Sequence, residues 1–299
     1  MRRRIPSNSM LIAFEAAARH GSFKEAASEL LLTESAVSRQ IARLETFLET
    51  KLFERKGNRV RLLPVGTKYA QEVGDSLARL ERDSQRLMGQ SPGTVDLEIG
   101  VLPTFATRWL IPRLGMFQNP FPHIRVNLAQ RLDPFNLPAS GFDAAIHFHD
   151  PAWAGLVIHP LLHEVLIPVC SPSLLSGTRN PPPLDDLPRV HRRQNAEAWQ
   201  IYAQETGQHL QNPLAGVRFD LHGMAIEAAM AGLGVALVPR TYVERDLAEG
   251  RLVTCWPPGQ SVSKTFCAIT TEPLDECQPA LRSFVLWLLD QAAATEDRP

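Results

Sequence analysis

The segment from residue 22 to residue 55 constrains the fold most, because its pattern is that of two short helices separated by a tight turn. Ser22 and Glu25 have the spacing of a capping box, which satisfies free backbone N–H groups at the start of a helix. Thr33 is a favourable N-cap for a second helix. With about 100° between successive residues, one narrow side of that helix is apolar, and it comprises Val37, Ile41, Leu44 and Leu48. The segment therefore predicts a helix-turn-helix pair.

The opposite side of the second helix is predicted to be polar and to face outward, and it comprises Glu34, Ser35, Ser38, Arg39, Ala42 and Glu45. Small hydrogen-bonding side chains beside an arginine suit the major groove of DNA, where base edges present donors and acceptors to an inserted helix. An ordinary amphipathic helix pair in a protein core has the same pattern. The helix pair alone leaves both interpretations open.

A basic segment after the helix pair favours a DNA-binding unit. Gly57-Asn58 stands between two alternating stretches, which predicts a two-stranded hairpin with a basic tip. Residues 1–68 carry 13 Lys and Arg against 7 Asp and Glu, a balance of +6, whereas the whole chain has a formal charge of −1. A basic N-terminal segment followed by an acidic remainder indicates a nucleic-acid-binding module joined to another part of the protein with a different role. The cationic residues of this segment are Lys51, Arg55, Lys56, Arg59 and Arg61.

Length and composition exclude several other classes of protein. The 299 residues are 44% hydrophobic, which is enough for one or two substantial cores. No run of about 18 apolar residues occurs and no hydrophobic segment follows Met1, so we expect no membrane span, no secretory signal and a cytoplasmic location. The 4 cysteines have no C-x-x-C spacing. This favours buried thiols, with a thiol-based redox switch as the alternative.

The sequence contains none of the common catalytic motifs: no G-x-S-x-G, no P-loop and no H-E-x-x-H. Gly232-Leu233-Gly234 lacks the third glycine of a dinucleotide-binding fingerprint. The Asp185-Asp186 pair lies in a proline-rich loop and is typical of a turn. We therefore expect no enzyme activity and no cofactor. An enzyme attached to a DNA-binding head is the alternative.

Three motifs make the chain resemble the LysR-type transcriptional regulators: AAxxL at 26–30, TxSAVSRQIxxLE at 33–45 and LFERKGNRVRLL at 52–63. The resemblance covers essentially the whole chain. It implies a winged helix-turn-helix DNA-binding domain at 1–63, a linker or dimerisation helix with a hinge at 64–92, and an effector-binding domain at 93–299. It further implies that double-stranded operator DNA is contacted by Thr33, Glu34, Ser35, Ser38, Arg39, Arg43, Arg55, Lys56 and Arg59.

Several positions depart from the family pattern. Glu34-Ser35 stands where the family usually has Gln-Pro, Glu49 where it has Gly, and Pro64 where it has Thr. A carboxylate at position 34 could accept a hydrogen bond from the N4 amino group of cytosine but would be repelled by phosphates. The preferred operator is therefore expected to differ from those of close relatives.

An apolar stripe of about two and a half heptads predicts a long helix from Pro64 to Met88. The members of the stripe are Ala70, Val73, Leu77, Leu80, Ser84 and Leu87. A helix that pairs two copies of the chain is the favoured interpretation, and packing on its own domain is the alternative. The glycine-rich segment 89–93 then predicts a hinge.

Beyond Thr94, predicted strands alternate with predicted helices, which indicates an α/β fold with mostly parallel sheets. The predicted strands are at 95–101, 124–128, 144–148, 166–170 and 234–239, and the helices at 105–117, 197–206, 222–231, 240–249 and 278–294. Two such units resemble the paired lobes of the family's effector domain, which is similar to periplasmic solute-binding proteins. We expect lobe 1 at 93–165 plus 270–299, and lobe 2 at 166–269.

A ligand of an open α/β sheet binds at the carboxyl ends of the strands, close to helix N-termini. Thr104 ends the first of these strands, and its hydroxyl, with the N–H groups of Phe105 and Ala106, is predicted to bind a carboxylate. A helix cap is the alternative role of Thr104. His147 and Phe148 end a later strand and are further candidates. The second lobe or the crossover strands are expected to contribute Phe219, Met224 and Phe266.

The segments FATRWLIPRL and FDAAI resemble the branch of the family that contains glycine-cleavage and β-lactamase regulators. This implies a small organic effector related to amino acids, to carboxylates or to the cell wall. The branch often has Arg where His147 stands, which weakens the case for a strongly bound anion. The family also implies a homodimer or homotetramer, and RNA polymerase is a further candidate partner.

His147 and His149 form a His-x-His pair on a predicted strand, which places both rings on one face, as a transition-metal site needs. His159 and His163 follow later in the chain. Core or solvated histidines are the favoured interpretation. A metal-responsive regulator of the same architecture is the alternative.

Overall fold

The computed structural model describes residues 4–56, 59–89, 93–175, 182–260 and 264–296. Side chains are outside the described part at residues 55, 56, 59, 82, 83, 85, 86 and 296. The chain divides into two compact units, Met1–Ser91 and Pro92–Pro299. Within the described ranges, no helix is long and apolar enough to cross a membrane.

The first unit is a winged helix-turn-helix followed by a long helix. Its elements are α1 (Asn8–His20), α2 (Phe23–Glu29), α3 (Glu34–Leu48), β1 (Phe53–Lys56), β2 (Arg59–Leu62) and α4 (Pro64–Gly89). Ser22 Oγ accepts from the Glu25 N–H at 3.3 Å, and Thr33 Oγ1 accepts from the Ala36 N–H at 3.2 Å. Both N-caps that the sequence predicts are thus confirmed. β1 and β2 pair antiparallel, whereas the predicted tip at 57–58 lies outside the described residues.

The apolar side of α3 packs into the core of this unit, where Val37, Ile41 and Leu44 are buried together with rings from α1, α2 and β1. The ring centroids of Phe14 and Phe53 lie 5.7 Å apart. The prediction that Glu45 faces outward is wrong, because its side chain is only 9% exposed and is covered by the start of β1.

Only part of the predicted stripe on α4 is free. Val73 is buried in the core of the first unit, and Ala70 and Leu77 pack partly against that core. Leu80 and Leu87, nearer the C-terminal end, are exposed. The first half of the stripe therefore stabilises its own domain, and only the second half offers an apolar surface.

Two non-glycine residues in the described ranges have a left-handed backbone, namely Leu31 with φ 54° and Glu49 with φ 53°. Glu49 caps the C-terminus of α3, a position that favours glycine because a Cβ is strained there. Its carboxylate lies 4.0 Å from the Arg4 guanidinium, and both side chains are more than 80% exposed, so this ion pair is weak. Removing the side chain therefore costs little.

We expect Glu49→Gly to raise the free energy of unfolding by about 0.5–1 kcal/mol, because relief of strain exceeds the added flexibility of the unfolded chain. The urea midpoint of the full chain measures the change. The matched control is Glu72→Gly, which places glycine inside α4 and should lower stability by about 1 kcal/mol. A lower midpoint for Glu49→Gly would contradict the strain argument.

The second unit contains two α/β lobes. The five-stranded sheet of lobe 1 has the order β4-β3-β5-β11-β6. Its strands are β3 (Val95–Val101), β4 (Ile124–Gln130), β5 (Ala144–Phe148), β6 (Val157–His163) and β11 (Thr265–Thr270). Its helices are α5 (Pro103–Phe105), a π-helical turn (Ala106–Leu110), α6 (Ile111–Gln118), α7 (Leu137–Ser140) and α11 (Pro279–Glu296). A short 3₁₀ turn spans Pro151–Trp153.

The four-stranded sheet of lobe 2 has the order β7-β10-β8-β9. Its strands are β7 (Leu166–Val169), β8 (Arg189–Arg192), β9 (Val217–Phe219) and β10 (Val235–Pro239). Its α-helices are α8 (Ala198–Thr206), α9 (His222–Met230) and α10 (Glu244–Ala248). Its 3₁₀ turns are Pro172–Leu175, Leu184–Asp186 and Arg240–Tyr242.

The structure corrects the sequence-based account of these sheets at two points. The sheets are mixed, because β11 runs antiparallel to β5 and β6, and β7 runs antiparallel to β10. β11 (Thr265–Thr270) belongs to the sheet of lobe 1, whereas the prediction assigned its residues 265–269 to lobe 2. Residues 266–270 are buried, so the strand lacks the alternation of polar and apolar residues that reveals a half-exposed strand.

Candidate nucleic-acid interface and ligand cleft

The outer side of α3 presents the residues predicted to contact DNA. Thr33, Glu34, Ser35, Arg39 and Arg43 are exposed. Ser38 is half-buried. Arg39 and Arg43 border an open groove of about 520 Å³, which is also lined by Met10, Ala42, Thr46 and Phe47. The Thr33 cap fixes the start of the helix, so the polar residues at 34 and 35 lie at its N-terminal end, the end that enters the groove in helix-turn-helix proteins.

Glu45 connects α3 to the wing formed by β1 and β2. Its carboxylate accepts hydrogen bonds from the backbone N–H groups of Leu52 at 2.9 Å and Phe53 at 3.2 Å, and from Lys51 Nζ at 2.6 Å. Burial alone would raise the pKa of Glu45, but these three donors outweigh burial and lower it. The side chain is therefore ionised at neutral pH and fixes the start of the wing against α3.

The wing itself carries the predicted phosphate contacts Arg55, Lys56 and Arg59, whose side chains lie outside the described part of the chain. The backbone places Lys56 opposite Arg59 in the β1–β2 pair, next to the tip. Arg61 is exposed on the same hairpin. The predicted phosphate contacts thus stay predictions.

The predicted ligand cleft of the second unit corresponds to the place where residues after the carboxyl ends of strands from both lobes meet. Thr104, only 7% exposed, follows β3 of lobe 1, and its Oγ1 accepts a hydrogen bond from the N–H of Gly223 in lobe 2 at 3.1 Å. Gly223 is the second residue of α9. This hydroxyl therefore joins the two lobes, which differs from the simple helix cap considered from the sequence.

The structure does not leave the Ala106 N–H free for a carboxylate, because it donates to the Leu102 carbonyl at 2.9 Å. This part of the prediction is wrong. Phe105 is fully buried, and its ring lies 4.9 Å from Trp109 and 5.0 Å from Phe266, centroid to centroid. Its side chain is a core residue of lobe 1.

The remaining predicted ligand residues differ in how far they are buried. His147 is buried, with Nε2 3.1 Å from the Leu132 carbonyl, and burial lowers its pKa. Phe148 packs on Phe266 with ring centroids 4.6 Å apart. Phe266 lies in β11, the strand by which the chain returns from lobe 2 to the sheet of lobe 1, so it belongs to a crossover strand, one of its two predicted places, and not to lobe 2. Phe219 at the end of β9 is half-buried, and Met224 in α9 is exposed.

Sequence reasoning missed three charged or polar residues in the cleft. His222 begins α9, and its Nε2 lies 3.3 Å from Arg192 Nη1 and 3.6 Å from Glu164 Oε1. Glu164 and His222 are buried. Burial lowers the pKa of His222, and the Glu164 carboxylate opposes this shift. Glu164, Arg192 and His222 lie far apart in the sequence, so no local pattern relates them to one another. A charged residue that follows an apolar stretch is the one sequence signal that could have identified a member of this group.

The cleft also offers unused donors. Arg192 Nη1 donates to His222 Nε2, so the proton of a neutral ring is on Nδ1. Arg192 Nε and His222 Nδ1 are both buried and have no hydrogen-bond partner among the residues that the structure describes. Two buried donors without a partner suit a ligand that brings acceptor oxygens.

A second contact between the lobes lies one helical turn further along. Arg108, in the π-helical turn, donates to Glu227 Oε1 at 2.6 Å and to Asp246 Oδ2 at 2.9 Å. Asp246 is buried and also accepts from Arg251 at 2.7 Å. The segment after β3 thus contacts α9 at both Thr104 and Arg108, and these contacts stabilise the separation of the lobes in this structure.

The histidines proposed as metal ligands are dispersed. β11 separates β5, which carries His147, from β6, which carries His159 and His163. His159 Nε2 lies 3.1 Å from Thr270 Oγ1, and His163 Nδ1 lies 3.2 Å from Thr265 Oγ1. Across the described ranges, no group of three or more His, Cys, Asp or Glu could hold a metal ion. Burial raises the pKa of Cys170 and Cys267 to about 11, which opposes thiolate chemistry.

Comparison with known proteins agrees with both units. Residues 9–67 match the family described as bacterial regulatory helix-turn-helix protein, lysR family, and residues 93–293 match the LysR substrate binding domain. The glycine cleavage system transcriptional activator of Escherichia coli K12 is 33% identical over 300 residues, covering 100% of this chain and 98% of that protein. The regulator TrpI of Pseudomonas aeruginosa is 36% identical over 261 residues, 86% of this chain and 88% of its own length.

Solved structures show the same fold. The effector domain of AmpR of Pseudomonas aeruginosa has a TM-score of 0.58 at 28% identity, covering 67% of this chain and 96% of that domain. The regulator CrgA of Neisseria meningitidis covers 96% of this chain and 99% of its own, with a TM-score of 0.58 at 21% identity. The chain therefore belongs to the LysR-type transcriptional regulators, and it is a DNA-binding regulator with an effector-binding domain rather than an enzyme.

Proposed function

We propose that this regulator acts in the cytoplasm, reads its operator with the outer side of α3, and is controlled by a small organic acid or amino-acid-like effector. In this proposal Glu34, Ser35, Ser38 and Arg39 face the bases of double-stranded DNA. Thr33 and Arg43 flank them, and Arg55, Lys56 and Arg59 contact phosphates. The exposure of Arg39 and Arg43 supports this, because a guanidinium forms paired hydrogen bonds with guanine.

The effector would bind in the cleft between the lobes. The observation that carries this proposal is the pair of buried donors without a partner in the described part of the chain, Arg192 Nε and His222 Nδ1, beside the Thr104–Gly223 hydrogen bond. Thr104 and Met224 would contact the ligand directly. Phe105, His147, Phe148, Phe219 and Phe266 would shape or support the cleft. The similarity to a glycine cleavage activator adds support for an amino-acid-like molecule.

Control of DNA binding by the effector would require an oligomer. The exposed Leu80 and Leu87 of α4 provide an apolar surface for pairing two chains, and effector domains would pair dimers into a homotetramer. An effector that binds one separation of the lobes more tightly shifts the population toward that form. The arrangement of the DNA-binding domains in the oligomer would then change. This change would alter the access of RNA polymerase to the DNA or its recruitment there.

A thermal-shift screen of the full chain tests the effector class. Amino acids, small carboxylates and divalent metal salts are added separately, because a bound ligand raises apparent stability by mass action. The proposal expects a shift with an amino acid or carboxylate. A shift with a metal salt alone would support the metal-responsive alternative instead.

Thr104→Val should weaken binding of the compound found in that screen about tenfold, because an apolar side chain cannot hydrogen-bond the ligand or Gly223. Isothermal titration measures the affinity. Thr104→Ser keeps the hydroxyl and should restore most of it. Thr107→Val, which removes a hydroxyl bonded at 3.1 Å to the Pro103 carbonyl one turn away, is the matched control. Normal affinity in Thr104→Val would place the ligand elsewhere.

A further inference from the structure

The second unit contains a single lysine, and it lies beside the ligand cleft. Residues 92–299 hold 14 arginines and one lysine, Lys264. The Lys264 carbonyl accepts a hydrogen bond from the Glu164 N–H at 2.8 Å, where the two segments that link the lobes run next to each other. The Glu164 carboxylate lies 3.6 Å from His222 in α9. Lys264 is therefore adjacent to the buried polar residues of the cleft.

The ammonium group of Lys264 lies at the aromatic end of β5. Its Nζ is 4.6 Å from the centroid of the Phe148 ring, which is a cation–π contact. Burial is the main cause of the lowered pKa of His147 and of His222, and the charge of Lys264 lowers both pKa values further. His147 belongs to lobe 1 and His222 to lobe 2, so this ammonium group is close to both sides of the cleft.

Two cations of the cleft have no acidic partner in the part of the second unit that the structure describes. The Lys264 side chain is exposed, and no described carboxylate lies within ion-pair distance of its Nζ. Arg192 donates to His222 Nε2 and to the amide oxygen of Gln194, neither of which is a carboxylate. Both cations are thus available to an anionic ligand.

The acidic residues nearby make other contacts. Asp150, whose charge acts on His147, accepts a hydrogen bond from the Ala152 N–H at 2.8 Å and caps a 3₁₀ turn. Glu164 faces His222. A ligand that fills the cleft displaces water from Arg192 and Lys264, and a cation that loses water without gaining a counter-charge is unfavourable. A single acidic group at Arg192 would leave Lys264 uncompensated.

We infer that the effector carries two acidic groups and that Lys264 binds the second of them. The first group would accept from Arg192 Nε and His222 Nδ1, and the second would form a charge-assisted contact with Lys264 Nζ. A dicarboxylate, or an acid that also carries a phosphate, has this chemistry. The inference rests on the proposed effector cleft, and it narrows the ligand from any small acid or amino acid to a diacid.

Pairs of probes that differ by one acidic group test this inference on the full chain. The pairs are glutamate and glutamine, aspartate and asparagine, succinate and succinamate, and phosphoserine and serine. For at least one pair, isothermal titration should show that the acidic member binds about tenfold more tightly than its partner. The pair that shows this preference distinguishes a second carboxylate from a phosphate.

Lys264→Met keeps an unbranched side chain beside Phe148 but removes the charge. It should reduce the preference for the acidic member to about twofold or less, while the affinity for the other member stays nearly unchanged. Lys264→Arg keeps the charge and should retain most of the preference. The matched control is Arg282→Met, which removes a positive charge from an exposed position of α11 and should leave the preference as in the wild type.

Several results would overturn the inference. Equal affinity for both members of every pair, or binding only by compounds with a single acidic group, would show that no second acidic group is recognised. An undiminished preference in Lys264→Met would place that group elsewhere, and an equal loss for both members would make Lys264 a support of Phe148. In these cases, binding that Thr104→Val weakens leaves the proposed cleft intact. If neither these probes nor any compound of the thermal-shift screen binds, the proposed effector control itself fails.

Discussion

Arg39→Ala is expected to weaken specific operator binding by about 1–3 kcal/mol, which is about 5- to 150-fold in affinity. The guanidinium is exposed on the outer side of α3, and its backbone is fixed by the buried Val37 and Ile41 on the other side of the same helix. The substitution removes base contacts without touching the core, so the unfolding free energy should change by less than about 0.5 kcal/mol.

Fluorescence anisotropy with an operator duplex obtained by selection from a random pool, and with an unrelated duplex at the same salt concentration, measures the effect. Arg245→Ala is the matched control, because it removes one positive charge from an exposed arginine of the second unit. Loss of affinity for the operator but not for the unrelated duplex supports base recognition. An equal loss of affinity for both duplexes would indicate that Arg39 contacts phosphates. No loss of affinity for either would contradict the placement of α3 in the major groove.

Glu45→Ala is expected to lower the unfolding free energy of the first unit by about 2–4 kcal/mol, because it leaves the N–H groups of Leu52 and Phe53 buried without an acceptor. Lys51 contributes little to this figure, since its side chain is 76% exposed. The urea midpoint measures the loss. Glu45→Gln keeps an acceptor oxygen in place and should lose markedly less. Equal losses in the two variants would refute the role of the hydrogen bonds.

The same carboxylate predicts an acid dependence. The pKa of Glu45 is lowered in the folded state, so its ionisation stabilises the fold above the unfolded-state pKa of about 4.3, and this stability is lost as pH falls through the lower folded-state value. Stability of the wild type should thus fall more between pH 6 and pH 3 than that of Glu45→Gln. An identical acid dependence of the two proteins would contradict this account.

Local patterns in the sequence were enough to predict the first unit. The N-caps Ser22 and Thr33 and the apolar stripe of α3 depend on residues a few positions apart, and the structure confirms them. The burial of Glu45 could not be predicted in the same way, because a helical projection considers only the residues of the helix itself. Glu45 is covered by residues 52 and 53, which follow α3 in the chain, so the periodicity of α3 gives no sign of this contact.

The second unit was harder to predict because its determinants are distant in sequence. The strands β6, β8, β9 and β11 were missed. β8 and β9 are short and β11 is almost wholly buried, and neither kind of strand shows a clear alternation; β6 contains Pro160, which interrupts its pattern. Because β11 was missed, the predicted boundary between the lobes, at residue 269, falls inside this strand. The cleft combines Thr104, Glu164, Arg192 and His222, which only the folding of both lobes brings together.

The wide turn at Ala106–Leu110 has a consequence for the two lobe contacts beside it. The Ile111 N–H donates to the carbonyl of Ala106, five residues earlier, so this turn contains one residue more than a turn of regular α-helix. Thr104 and Arg108 are four residues apart, a spacing that places two side chains on the same side of a helical segment, so both reach the facing lobe. Deleting one residue between them should reduce this spacing to three and displace at least one of the two contacts. The length of this turn is therefore expected to be as important for holding the two lobes together as the identity of the two side chains.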